Sequence, residues 1–236
     1  MPETFGLGTI DPPIVIAETQ DQHLRVPTFV TLYLPSPSES GFEKGGSHLV
    51  AEVMRRFPGK AAVASNSLET LRRMQSFLAR EPGLSEYALL LPRNGHTRTE
   101  LMEQYTSQEK AILLIPFDYL SFGDILPARF LFVTKLQFPN SFLPTVLRFK
   151  QAVKDRKGDA FRQFDLPYAL TLLQYTLHQI DPQTLRTVFM LDNRSFSSAY
   201  ADRVRNVLPT PPLFLPMENQ ENLLQHLDRW IRNQTL

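Results

Sequence analysis

The chain has 236 residues, 42% hydrophobic and 21% charged, and its 25 lysines and arginines nearly balance 24 aspartates and glutamates, for a formal net charge of +1. That length suits one large domain, and the balance removes a global electrostatic draw toward nucleic acid while leaving room for a local basic face. Cysteine is absent, which excludes disulfides, thiolate-held iron–sulfur clusters and cysteine zinc sites; His23, His48, His96, His178 and His226 form no i, i+4 pair, so no metal site is expected.

Residues 1–46 are irregular. They carry Asp11-Pro12-Pro13, an apolar run over 29–34, Pro35-Ser36-Pro37-Ser38 and Gly45-Gly46, which together read as an opening segment with one or two strands and a loop. Leu49, Val50, Val53, Met54 and Phe57 form one stripe and predict a helix over 47–57. A second helix is expected over 67–80, where Asn66 and Glu69 have the spacing of a cap with a returning carboxylate. Further helices are expected near 98–106, 141–156, 167–179, 196–207 and 219–233. Between them lie short apolar runs at 60–64, 87–91, 111–115, 130–134, 187–192 and 213–215. Each is too short for a helix and lacks period-two alternation, the pattern of strands covered on both faces. Alternation of such strands with helices predicts a doubly wound, mainly parallel α/β sheet, with ligands beyond the strand C-termini. The stretch 138–160, with Pro139, Pro144 and several cations, reads as an inserted helical hairpin or crossover. With no leader-like start and no run of about 18 apolar residues, a soluble, cytoplasmic protein without membrane contact is expected.

The segment from Gly41 to Ser47 has the outer glycine spacing of a phosphate loop, but Ser47 stands at the lysine position and His48 at the hydroxyl position. Without the lysine that reaches the outer phosphates, ATP hydrolysis by this chain alone is not expected. Neither G-x-S-x-G nor G-x-G-x-x-G occurs, so the common hydrolase and dehydrogenase readings have no support.

A set of landmarks follows in a recognisable order. Gly59 to Leu68, with Ser65, Asn66 and Ser67, resembles the strand-then-serine opening of the second motor domain of DinG/XPD-type DNA helicases. The runs 111–115, Gly123 to Pro127 and Phe132 to Pro139 resemble that family's passage through its G-I-D-x-P-G and K-L-P-F-P elements. Leu166-Pro167 through Gln174 is similar to its L-P-x-A-x-x-x-x-x-Q helix, Val188 to Arg194 to its V-x-x-L-D-x-R strand, and Tyr200 to Pro209 to its closing Y-x-x-x-x-x-x-L-P. The resemblance runs over about 5–233. It implies a RecA-like domain in which 1–46 leads into a body over 47–236, one domain overall.

The resemblance also implies roles. Gly123, Asp124, Gln174 and His178 fall where the family lines its interdomain ATP cleft. Ser65, Asn66 and Ser67, with Lys135 and Arg194, fall where it meets the backbone of single-stranded DNA. The phosphate loop belongs to a first motor domain, so ATP and Mg²⁺ are expected only if such a domain is supplied, as by another chain. Departures from the family pattern are informative. Its Q-G-x-G-R-x-x-R places two arginines against ATP, and here His178 and Asp181 stand in their positions. An arginine on a transferring phosphoryl group is worth roughly 10³–10⁵ in rate. A histidine carries little charge at neutral pH, and an aspartate repels phosphate. The family's F-W-E-G is replaced by Phe117 to Phe122. Impaired catalysis follows, either within a split helicase or in an interaction domain that keeps the scaffold without the chemistry. Ser65, Asn66 and Ser67 also have a plain structural reading, as caps of the helix after them.

Overall fold

The computed structural model describes residues 28–32, 41–93, 97–122, 125–185, 187–192, 198–208, 213–215 and 225. In chain order the elements are β1 (Thr28–Leu32), α1 (Phe42–Arg56), β2 (Lys60–Ser65), α2 (Leu68–Leu78), β3 (Ala88–Leu90), α3 (Arg98–Ser107) and β4 (Ala111–Pro116). A 3₁₀ turn (Phe117–Phe122), β5 (Phe130–Val133), α4 (Pro144–Asp155), a π turn (Phe161–Asp165) and α5 (Leu166–His178) come next. Then follow β6 (Thr187–Met190), α6 (Ala201–Val207) and β7 (Leu213–Leu215). The strands form one seven-stranded sheet in the order β3-β4-β2-β5-β6-β1-β7. Every described pairing is parallel.

The continuous apolar runs have the physical cause expected of them. Successive side chains of a strand point to opposite faces, and both faces here are covered. Ala61, Val63, Phe130, Phe132 and Phe189 join the core under α1 and α2. Ala62, Ala64, Leu131, Val133 and Met190 join the core under α3, α5 and α6. Small residues on β2 sit beside large ones on β5, with Ala61 opposite Phe130 and Val63 opposite Phe132. The Phe132 and Phe189 rings stack at 4.6 Å with 8° between their planes, and Phe130 lies 6.0 Å from Phe57. On the other face the Tyr105 ring is fully buried, and burial pushes its hydroxyl well above the usual phenol range.

The start of α1 differs from the expected helix over 47–57. α1 begins at Phe42 and not at 47, so Gly45, Gly46 and Ser47 lie inside a helix. Two glycines lower intrinsic helix propensity by about 1 kcal/mol each, but tertiary packing prevails. Phe42 is 1% exposed, the buried Ser47 hydroxyl donates to the Met74 carbonyl at 3.2 Å, and Gly46 is itself buried facing Met74 and Leu191. The phosphate-loop spacing at Gly41 is therefore coincidental, because a helix cannot cradle phosphates with its interior amides. The opening segment also supplies a strand from its apolar run, and β1 lies inside the sheet between β6 and β7. α6 is described from Ala201, and the helix expected over 219–233 lies outside the described residues apart from Gln225.

The crossover from β5 to β6 carries α4, the π turn and α5. α4 buries only Val146, so it adds little to the core. Among the described residues no helix is long and apolar enough to cross a membrane.

Candidate functional site

All strands of a parallel sheet end along one edge, so the residues just past β2, β5 and β6 are brought together there. Ser65 ends β2 and Lys135 follows β5 by two residues. Ala64 pairs with Val133, and the Thr134 amide donates to the Ala64 carbonyl at 3.0 Å. Ser65 and Lys135 are thus neighbours across two adjacent strands. Ser65 is buried, and its Oγ accepts from the Ser67 amide at 3.3 Å. Ser67 is the N-cap of α2, its Oγ accepting from the Thr70 amide at 3.2 Å. The cap is therefore Ser67 and not Asn66: the Ser65 hydroxyl holds the turn one residue later, which leaves Asn66 exposed with Glu69 bonded to Arg73. Thr134, buried beside Lys135, has a hydroxyl with no hydrogen-bond partner among the described residues. Arg194 lies outside the described residues.

The edge thus offers an exposed amide on Asn66, a half-buried ammonium on Lys135 and a helix N-terminus, a combination suited to a phosphate. Ser67 serves both structure and any ligand, and one substitution separates the two. Aspartate caps a helix as well as serine does but adds negative charge where a phosphate would sit. Ser67→Asp is expected to keep the urea midpoint within about 0.5 kcal/mol of the parent and to weaken any phosphate binding at this edge several-fold. Ser67→Ala should instead lose about 1 kcal/mol of stability.

Gln174 and His178 lie elsewhere. α5 runs back from the C-terminal edge toward the start of β6, and its 13 residues span about 20 Å, the depth of the sheet. Just beyond it, Leu126 donates its amide to the Gln179 carbonyl at 2.8 Å and accepts from the Asp181 amide at 2.9 Å. The Leu126–Ile180 bridge ties the chain ahead of β5 to the end of α5. Gly123 and Asp124, just ahead of that bridge in sequence, lie outside the described residues.

Of the described residues expected to meet ligands, Ser65, Ser67 and Lys135 lie at the strand C-termini and His178 at the opposite edge, because a helix connecting parallel strands must run antiparallel to them.

At the second edge Gln174 is half-buried and His178 is exposed on the last turn of α5. Asp181 has a local task, since its Oδ1 accepts from the Gln183 amide at 2.9 Å and its carbonyl from Thr184 and Leu185. An aspartate bonding two residues ahead makes a turn, here the one leading toward β6. Thr176 and Ile180 are buried between these positions. The last turn of α5 thus presents an amide, an imidazole and, just after it, a carboxylate, with no guanidinium. These groups do not fit the sensing of a nucleotide's outer phosphates. In the place of the family's F-W-E-G, Phe117 and Leu120 are buried and serve the core.

Sequence reasoning missed the aromatic surface of the crossover. Phe149 stacks on Phe164 at 5.5 Å, and Phe161 meets Phe138 and Tyr200 at 5.6 and 5.4 Å. Its signal was present as aromatics interleaved with cations over 138–168.

No protein-family model and no curated protein matches the sequence. Solved structures do. An XPD structure described as apo superposes with a TM-score of 0.57 at 14% identity, covering 80% of this chain and 40% of that one. Xpd4 of S. tokodaii gives 0.52 at 15%, over 75% of this chain and 36% of that one. The C-terminal domain of the DEAD-box protein Dbp5 gives 0.55 at 11%, covering 86% of this chain and 98% of the domain. The chain thus spans about 40% of the XPD chain and nearly all of the isolated Dbp5 domain. At such identities the likeness is one of fold, and the chain has the RecA-like α/β fold of helicase C-terminal domains.

Proposed function

We propose that this chain acts as a degenerate second motor domain of the DinG/XPD type, offering a single-stranded DNA contact at one edge of its sheet and a weakened wall of an ATP cleft at the other. The observation that carries the reading is the convergence of Ser65, Ser67 and Lys135, distant in sequence, at the strand C-termini beside the N-terminus of α2, while the Leu126–Ile180 bridge joins the chain ahead of β5 to the end of α5. ATP and Mg²⁺ would be bound mainly by a first motor domain, as on another chain, and this chain would not turn ATP over alone.

The strand contact is tested by filter binding of single-stranded DNA at two salt concentrations. Affinity should fall as salt rises, because phosphate contacts release counterions. Lys135→Ala is expected to weaken binding and to flatten the logarithmic salt dependence by about one unit. An unchanged slope in that variant would remove Lys135 from the strand path, and salt-independent binding would remove the path itself.

A further inference from the structure

We propose that the exposed aromatic face of α4, the π turn and the first turn of α5 is a stacking surface for unpaired bases of a single-stranded nucleic acid, separate from the contacts of Ser67 and Lys135. The inference rests on the nucleic-acid reading above and adds a second kind of contact to it, with bases instead of phosphates.

Phe149 is 58% exposed, yet it is ordered against Phe164, the rings 5.5 Å apart and 7° from parallel. Phe164 in turn lies 6.4 Å from Tyr168, which is 41% exposed. The row is thus a preformed stack with its outer ring open to solvent. Large apolar residues left in water singly are ordinary, whereas a contiguous set marks a binding surface. The π turn explains how the row arises. Its widened backbone sends Phe161 toward Phe138 and Tyr200 while Phe164 goes toward Phe149. Such turns recur at functional sites.

Charge decides which occupant fits. Arg148, Lys154, Arg156 and Lys157 are exposed and have no ion-pair partner among the described residues. Lys150 is held by Asp165 at 2.8 Å, and Asp155 accepts from Gln151 at 2.7 Å. Phe149 and Arg156, seven residues apart, lie on one line along α4. Protein interface cores are enriched in aromatics and arginine but depleted in lysine, so Lys154 and Lys157 are what set this face apart from such a core. Rings flanked by unpaired cations instead match the alternation of base faces and phosphates in a single strand. The chain passes from Lys135 through Phe138, whose ring meets Phe161 at 5.6 Å, so the two contacts are joined by one short stretch of chain.

The test is fluorescence anisotropy of the full chain with a labelled thymine oligonucleotide and with an abasic strand of the same length, both at low salt. The parent should bind the thymine strand more tightly. Phe149→Ala should weaken that binding about tenfold and leave the abasic strand unaffected, while Phe149→Trp should hold or strengthen it. A urea melt of each variant checks that it folds. Equal affinity of the parent for both strands, or an unaltered affinity of Phe149→Ala for thymine, overturns the stacking surface and leaves Lys135-dependent binding standing. Absence of binding to either strand removes the nucleic-acid reading and this inference with it. A self-association that Phe149→Ala abolishes, with strand affinity unchanged, would make the face a protein interface and overturn the proposal.

Discussion

His178→Arg, assayed in a mixture with a separately produced first motor domain of the DinG/XPD type, is expected to raise strand-stimulated ATP turnover by about 10²–10³-fold over the unaltered mixture. The unaltered mixture itself should stay near the rate of the first domain alone. A guanidinium opposite the transferring phosphoryl group is worth roughly 10³–10⁵. The lower figure is expected because Tyr175 and Leu177 occupy positions where the resembled helix has glycines, and the 40% exposed Tyr175 adds bulk beside position 178. His178 is exposed on the last turn of α5, so the substitution disturbs no packing. Asp181 is a poorer place to begin. Its Oδ1 holds the Gln183 amide at 2.9 Å, and losing that bond costs about 1 kcal/mol. If His178→Arg leaves turnover at the first domain's own rate, the end of α5 does not face the nucleotide and the cleft half of the proposed function is wrong. The alternative of an interaction domain without catalysis would then be favoured.

Phe132→Ala is expected to cost about 3–5 kcal/mol of stability, read as a lowered urea midpoint. Phe132 is fully buried at the centre of the sheet and stacks on Phe189 at 4.6 Å. Truncation leaves a cavity that neighbouring strands cannot close, because their register is held on both sides by β2 and β6. It also removes a ring pair worth about 0.5–1.5 kcal/mol beyond burial. Against a total stability of about 5–15 kcal/mol, the variant should be marginal at room temperature. A loss below about 1 kcal/mol would mean that this face of the sheet is not packed as described.

The strands were legible because their burial is local information. A run such as Ala111 to Ile115 is apolar on both faces wherever it sits, so its type and limits follow without knowledge of its neighbours. The body of α1 was legible for a similar reason, from the stripe Leu49, Val50, Val53 and Met54. Its first turn was not, because glycines at 45 and 46 argue against a helix until the burial of Phe42 and the Ser47–Met74 hydrogen bond are known. The Ser67 cap was misread by one residue, since the sequence shows three candidate oxygens in a row and only the burial of Ser65 chooses among them.

The candidate site divides in the same way. That His178 and Asp181 stand where the resembled pattern has arginines is a matter of residue order and needs no coordinates. That Asp181 is committed to a turn, that Ser65 and Lys135 are neighbours, and that Gln174 belongs to the far edge depends on contacts between distant segments. Residue types and their spacing were enough for a mainly parallel sheet wrapped on both sides. The order of the strands, the place of β1 between β6 and β7, and the sorting of polar groups to opposite edges arose only on folding. These follow from which surfaces fit together, and no window of the chain a few turns long carries that information.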